Sequence, residues 1–110
     1  MATTPEGRVK NRLKYLFKRL DVWHFMPQAG AFGKAGIPDF VLIVEGRFVG
    51  VECKAGRSKR PTALQRVAMQ EIENAGGKCF VVYDDYTQDE LERWIKDARN
   101  TKGAGTRTKT

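Results

Sequence analysis

The chain has 110 residues, 41% of them hydrophobic and 30% charged, a globular balance that excludes a disordered or membrane-embedded polypeptide. Twenty Lys and Arg against thirteen Asp and Glu leave 20 − 13 = +7, so an anionic partner is expected, nucleic acid first among them. No apolar run approaches the roughly 18 residues of a membrane-spanning helix, and no secretory leader or CxxC is present, so Cys53 and Cys79 read as small strand thiols in an intracellular compartment.

At the N-terminus, "TTPEGRVKNRLKYLFKRL" predicts a helix with Thr4 as N-cap and Pro5 in the first helical position. Val9, Leu13, Leu16, Phe17 and Leu20 form one apolar stripe, and Lys10, Arg12, Lys14, Lys18 and Arg19 make the outer surface basic. "VWHFMPQ" is a short strand. His24 within it, the single histidine, has no neighbouring metal ligands in the sequence and reads as structural. "AGAFGKAG" is a glycine-rich loop that lacks the Gly-Lys-Ser/Thr ending of a phosphate-binding P-loop.

"DFVLIVE" and "FVGVECK" are two strands joined by a tight turn at Gly46, and the apolar run of the first predicts burial on both faces. "AGRSKRPT" is a basic loop. A helix runs from Thr62 to about Ala75 with Leu64, Val67, Ala68 and Ile72 inward, and "NAGG" ends it. "KCFVVYD" is a strand, and "TQDELERWIKDAR" a final helix with Thr87 and Glu90 as a capping box. Trp94 and Ile95 on that helix suit either a core or a dimer face. The expected organisation is one domain over 1–99 and a disordered basic tail over 100–110. The order α-β-β-β-α-β-α is that of an α/β domain with a small mixed sheet flanked by helices, the last strand parallel after a helical crossover.

Charged residues close the hydrophobic hairpin. Side chains alternate faces along a strand, so Glu52 and Lys54 share a face while Cys53 points the other way. An antiparallel hairpin turning near Gly46 brings Asp39 roughly opposite Cys53, within reach of both. Glu45 falls at the turn, at the far end. Two carboxylates and an ammonium at one sheet end suit a hard divalent cation, Mg²⁺ or Mn²⁺, held by Asp39, Glu52 and the Cys53 backbone carbonyl, with Lys54 handling the water or the phosphorane-like charge. The plainer alternative is a salt bridge of Lys54 with either acid at a sheet edge. Lys34, Arg57, Lys59 and Arg60 are either phosphate contacts or a solvated charged loop.

"GIPDFVLI", "VECKAG" and the following "TALQ" together resemble the VRR-Nuc branch of the PD-(D/E)xK nuclease superfamily in its short standalone form, from about Thr4 to Tyr83. Cys53 stands where valine is common, which matters little if only its backbone serves the metal. The resemblance implies a restriction-endonuclease-like core and a Mg²⁺- or Mn²⁺-dependent endonuclease that hydrolyses DNA phosphodiesters. It also implies an acid on the first helix, here Glu6, and a glutamine on the helix after the lysine, here Gln65. Glu6 is equally suited to the dipole of its helix start, and Thr62 with Gln65 is also a capping box. Likeness to Holliday junction resolvases implies a homodimer acting on a four-way junction. The alternatives are a non-catalytic basic nucleic-acid-binding module, or a nuclease of another substrate class: flap, restriction-like or RNA.

Overall fold

The computed structural model describes residues 3–28 and 33–104. The elements run α1 (Pro5–Arg19), β1 (Trp23–Phe25), β2 (Phe40–Val44), β3 (Arg47–Cys53), α2 (Ala63–Asn74), β4 (Lys78–Val82) and α3 (Asp85–Ala104), in the expected order. The sheet order is β1-β2-β3-β4, with β1/β2 and β2/β3 antiparallel and β3/β4 parallel. The parallel pair is the one whose connection contains a helix, as crossover geometry requires. Residues 29–32 of the glycine-rich stretch lie outside the described residues.

Thr4 caps α1 by accepting a 3.0 Å hydrogen bond from the Gly7 N–H, and Pro5 fills the first turn, where a missing N–H costs nothing. Val9, Leu13, Leu16 and Phe17 are buried, and Leu20 packs beside them. They meet Phe40, Leu42 and Val44 of β2, Val49, Val51 and Cys53 of β3, Val82 of β4, and Leu91 and Ile95 of α3. One sheet face is thus sealed by α1 and α3. Ile95 is core, and Trp94 packs edge-on against Phe80 at 5.5 Å with the Arg47 guanidinium over its ring. His24 is a structural residue: its Nδ1 lies 2.7 Å from the Val22 carbonyl and its ring leans on Phe17.

The hairpin turn comprises Glu45 and Gly46, both with positive φ (51° and 79°), the signature of a two-residue turn that matches strand twist. Register follows from it: Phe40 pairs with Val51 and Val44 with Arg47. Continued one step, Asp39 falls opposite Glu52 rather than Cys53, one residue from the expected position.

The second sheet face is only partly covered, which corrects the expectation that β2 is buried on both faces. α2 lies over the β3/β4 side, and Ile43 and Phe48 are exposed, in one cross-strand row with the 62% exposed Trp23. α2 is also rotated relative to its expected stripe. Gln65, Ala68, Met69 and Ile72 are its most buried positions, while Leu64 and Val67 are 60% and 55% exposed. Its N-terminus has the full capping box of Thr62 and Gln65. α3 is capped differently from expectation. Asp84 is the cap: its Oδ1 accepts from the Thr87 N–H at 2.9 Å, and Thr87 Oγ1 accepts from the Asp84 N–H at 3.1 Å. α3 continues past the boundary expected at residue 99, and 105–110 of the expected tail lie outside the described residues.

The segment before β2 is locked onto α2 at Gly36. Its φ is +79°, and a Cβ there would stand 2.3 Å from the Leu64 carbonyl oxygen. Gly46 has the same φ but nothing within 4 Å of its absent Cβ. Gly36→Ala is therefore expected to destabilise by about 2–4 kcal/mol, combining left-handed strain with a backbone clash. Gly46→Ala should cost only the strain, about 1–2 kcal/mol. Chemical denaturation of the two variants checks the difference.

Candidate active site

The charged residues converge where β2 begins and β3 ends. The Asp39 carboxylate accepts a 2.8 Å hydrogen bond from the Cys53 N–H through Oδ2. That bond places the amide of Cys53 on the β2 side of its strand, whereas the next amide, Lys54 N–H, points the other way and donates to the Val82 carbonyl at 3.0 Å. In an extended strand the N–H and C=O of one residue leave the same edge. The Cys53 carbonyl therefore leaves the β2 edge of the strand, towards Pro38. Pro38, its counterpart in the register, has no N–H to give it. The Cys53 side chain turns into the core, and burial, reinforced by the Asp39 charge, pushes its thiol pKa up, so it stays a neutral packing group.

Glu52 is 3% exposed. Its Oε2 accepts from Gln65 Nε2 at 2.6 Å and pairs with Lys54 Nζ at 3.4 Å. The Gln65 side-chain oxygen simultaneously accepts from the Thr62 N–H at 2.8 Å. Both expected readings of Gln65 coexist: the cap fixes the amide, and the fixed amide orients Glu52. Burial, then the Asp39 charge, push the Glu52 carboxyl up to about 7, with Lys54 opposing both.

Glu6 reaches the centre only through an intermediary. Lys10 Nζ lies 3.3 Å from Glu6 Oε2 and 3.5 Å from Asp39 Oδ1. Lys10, expected on the basic outer face, thus belongs to the cluster. Burial disfavours its charge, but Asp39 and Glu6 outweigh that and raise its pKa. The available signal was its i,i+4 spacing from Glu6. Of the four basic residues expected as phosphate contacts, Lys34 pairs with Glu71 at 3.0 Å, and Arg57, Lys59 and Arg60 are exposed in the loop between β3 and α2. A cleft of ≈ 460 Å³, walled by the 33–37 segment, opens onto Asp39 and Gln65.

Among the described residues, no three His, Cys, Asp or Glu side chains form a metal-holding group. The oxygen groups at this strand end are the Asp39 and Glu52 carboxylates and, by strand geometry, the Cys53 carbonyl. That set fits Mg²⁺ or Mn²⁺, which are held by one or two carboxylates and keep several waters, and does not fit a closed tetrahedral Zn²⁺ site.

No protein-family profile matches the sequence, and no curated protein matches it. A solved structure described as a VRR_NUC domain does match: 27% sequence identity, TM-score 0.74, covering 83% of this chain and 97% of that one. The chain therefore has a nuclease fold of the PD-(D/E)xK type, a four-stranded mixed sheet flanked by helices, as its hairpin motif led one to expect. Among the described residues no helix is long and apolar enough to cross a membrane.

Glu52 gives the metal-free protein a distinct pH dependence. The folded carboxyl holds its proton up to about 7, the unfolded one only to about its ordinary 4.5. The folded state thus binds more protons in between, and stability is lost as pH rises through this window. In EDTA, wild type should lose stability between pH 4.5 and 7 relative to Glu52→Gln, by at most about 3 kcal/mol. Parallel thermal-unfolding curves for the two proteins across that range would refute this.

Proposed function

We propose that this chain is a metal-dependent DNA endonuclease. The observation that supports it best is the join of Asp39 to the Cys53 amide, with Glu52 and Lys54 beside it, at the strand ends of a PD-(D/E)xK-type fold. Asp39, Glu52 and the Cys53 carbonyl would hold Mg²⁺ or Mn²⁺. The metal would polarise the phosphodiester and acidify a bound water. Gln65 holds Glu52 in its ligating direction. Lys54, beside Glu52, would orient the attacking water and offset the charge that grows on the phosphoryl oxygens as the water oxygen bonds to phosphorus and the P–O ester bond breaks, the leaving oxygen taking its proton from solvent. Glu6 supports the metal side of the cluster from α1. Lys34, Arg57, Lys59 and Arg60 line the approach and meet the DNA backbone, a contact that carries affinity without base sequence.

The substrate we favour is a branched duplex, a four-way junction, cut by a homodimer whose two sites address opposing strands. The uncovered row of Trp23, Ile43 and Phe48 supports a second copy, because exposed apolar patches of this kind mark interaction surfaces. A non-catalytic DNA-binding module is the second reading. What favours it is that Asp39, Glu52 and Glu6 each already have a lysine partner.

Labelled four-way junction, flap, matched duplex and RNA, each with Mg²⁺, Mn²⁺ or EDTA, separate the two. Cutting of the junction should require metal and fall at least about 100-fold in Asp39→Ala and Lys54→Ala. Binding without cutting of any substrate would establish the binding module instead. Phe48→Glu is expected to convert a dimer into a monomer in light scattering with unfolding temperature nearly unchanged, since Phe48 is already 40% exposed; wild type that is monomeric at micromolar concentration would end the dimer reading.

A further inference from the structure

Lys10 has no role in the proposed chemistry, yet its ammonium sits between Glu6 and Asp39, 3.3 and 3.5 Å from one oxygen of each. Asp39 has two oxygens with separate duties. Oδ2 is engaged by the Cys53 N–H, and Oδ1, the one left for a cation, faces Lys10. Glu52 also has a lysine, but there Lys54 and the Gln65 amide share one oxygen, Oε2. The two lysines differ in reach. Lys54 directly follows β3 and is nearly buried, whereas Lys10 is anchored on α1, with its side chain 29% exposed and solvent beside it. Its long, flexible stem allows the ammonium to swing out without moving the helix.

We propose that Lys10 is the resident counter-ion of this site: its ammonium occupies the cation position at Asp39 Oδ1 and Glu6 in the metal-free protein, and a divalent metal ion binds by displacing it. This rests on the metal reading of Asp39 and Glu52 given above. Displacement has a defined thermodynamic consequence. A site open only a fraction of the time shows its intrinsic affinity reduced by that fraction. If Lys10 closes the site about nine-tenths of the time, the apparent metal affinity is about tenfold weaker than without it. Lys10 thereby sets the metal concentration at which the site loads, and keeps two acids neutralised until then.

The test is a calorimetric titration of Mn²⁺ into the metal-free chain. Lys10→Gln should bind Mn²⁺ about 3- to 10-fold more tightly than wild type. Lys10→Arg keeps the charge and the contact and should stay close to wild type. Lys14→Gln removes an exposed charge one turn further along α1, without the contact, and should leave affinity unchanged. Asp39→Asn should lose binding. If wild type binds and Asp39→Asn does not, yet Lys10→Gln binds no more tightly than wild type, or Lys14→Gln gains as much, the displacement is wrong and the metal reading stands. If Asp39→Asn binds like wild type, or no protein binds up to about 10 mM Mn²⁺, the metal reading falls and this inference with it. Folding of each variant is followed by thermal unfolding in EDTA, where Lys10→Gln should melt below Lys14→Gln because Glu6 and Asp39 lose their shared cation. A second readout needs no variant to be stable: in wild-type protein with isotope-labelled lysine, saturating Mg²⁺ should shift the Lys10 side-chain resonances towards those of a solvated lysine. Unchanged resonances in metal-loaded protein would overturn the displacement.

Discussion

The hydrogen bond from the Cys53 amide to the Asp39 carboxylate is the contact on which the site depends. It stands at the end of the ladder, where the Cys53 N–H is taken by a side chain in place of a backbone carbonyl. Cys53 would next pair with Pro38 in the β2–β3 register, but proline has no N–H, and the ladder stops at Phe40 and Val51. Two backbone groups of Cys53 are left facing the gap, and a buried unpaired N–H or C=O is costly. The Asp39 side chain takes the N–H. The carbonyl leaves the same strand edge as that N–H, where Pro38 has no N–H to offer it. One proline thus ends the ladder and leaves a backbone oxygen without a ladder partner. The Pro-Asp pair followed by a strand and then Glu-Cys-Lys is, in this sense, a single structural unit.

The electrostatics follow from the placement. Three acids and two ammonium groups meet at this strand end, so the metal-free cluster is close to neutral within a chain of net charge +7. Burial of Glu52 without Lys54 would leave an uncompensated charge in a low-dielectric position, the costly case for a buried ion. The elevated Glu52 pKa shows that compensation is incomplete. Burial and Asp39 together outweigh Lys54.

The sequence made the hairpin, its closing charges and the element order legible because each has a local cause: alternation, a glycine turn, a proline start, a crossover helix. Gln65 was legible twice over, and the structure shows the cap and the Glu52 contact using opposite ends of one amide. Lys10 was misplaced because a basic residue on an amphipathic helix defaults to solvent, and its contact with Asp39 crosses 29 positions of chain, 39 − 10. α2 was misread by one residue for a related reason. Leu64 and Val67 complete an apolar stripe by spacing, yet the helix turns Gln65 and Met69 to the sheet in their place. Periodicity registers an apolar face but not what covers it.

That rotation ties the site to the uncovered sheet face. Turning Leu64 inward would carry Gln65 away from Glu52 by roughly 100° of helix, the angle between successive residues at 3.6 per turn. The orientation that lets Gln65 hold Glu52 therefore keeps Leu64 and Val67 at the surface, while α2's position over β3 and β4 leaves Ile43 and Phe48 without a helix above them. The exposed apolar surface is in this way a consequence of organising the site. A helix placed only for burial would turn Leu64 and Val67 inward. This chain keeps its glutamine on the acid, at the cost of leaving Leu64 and Val67 in solvent.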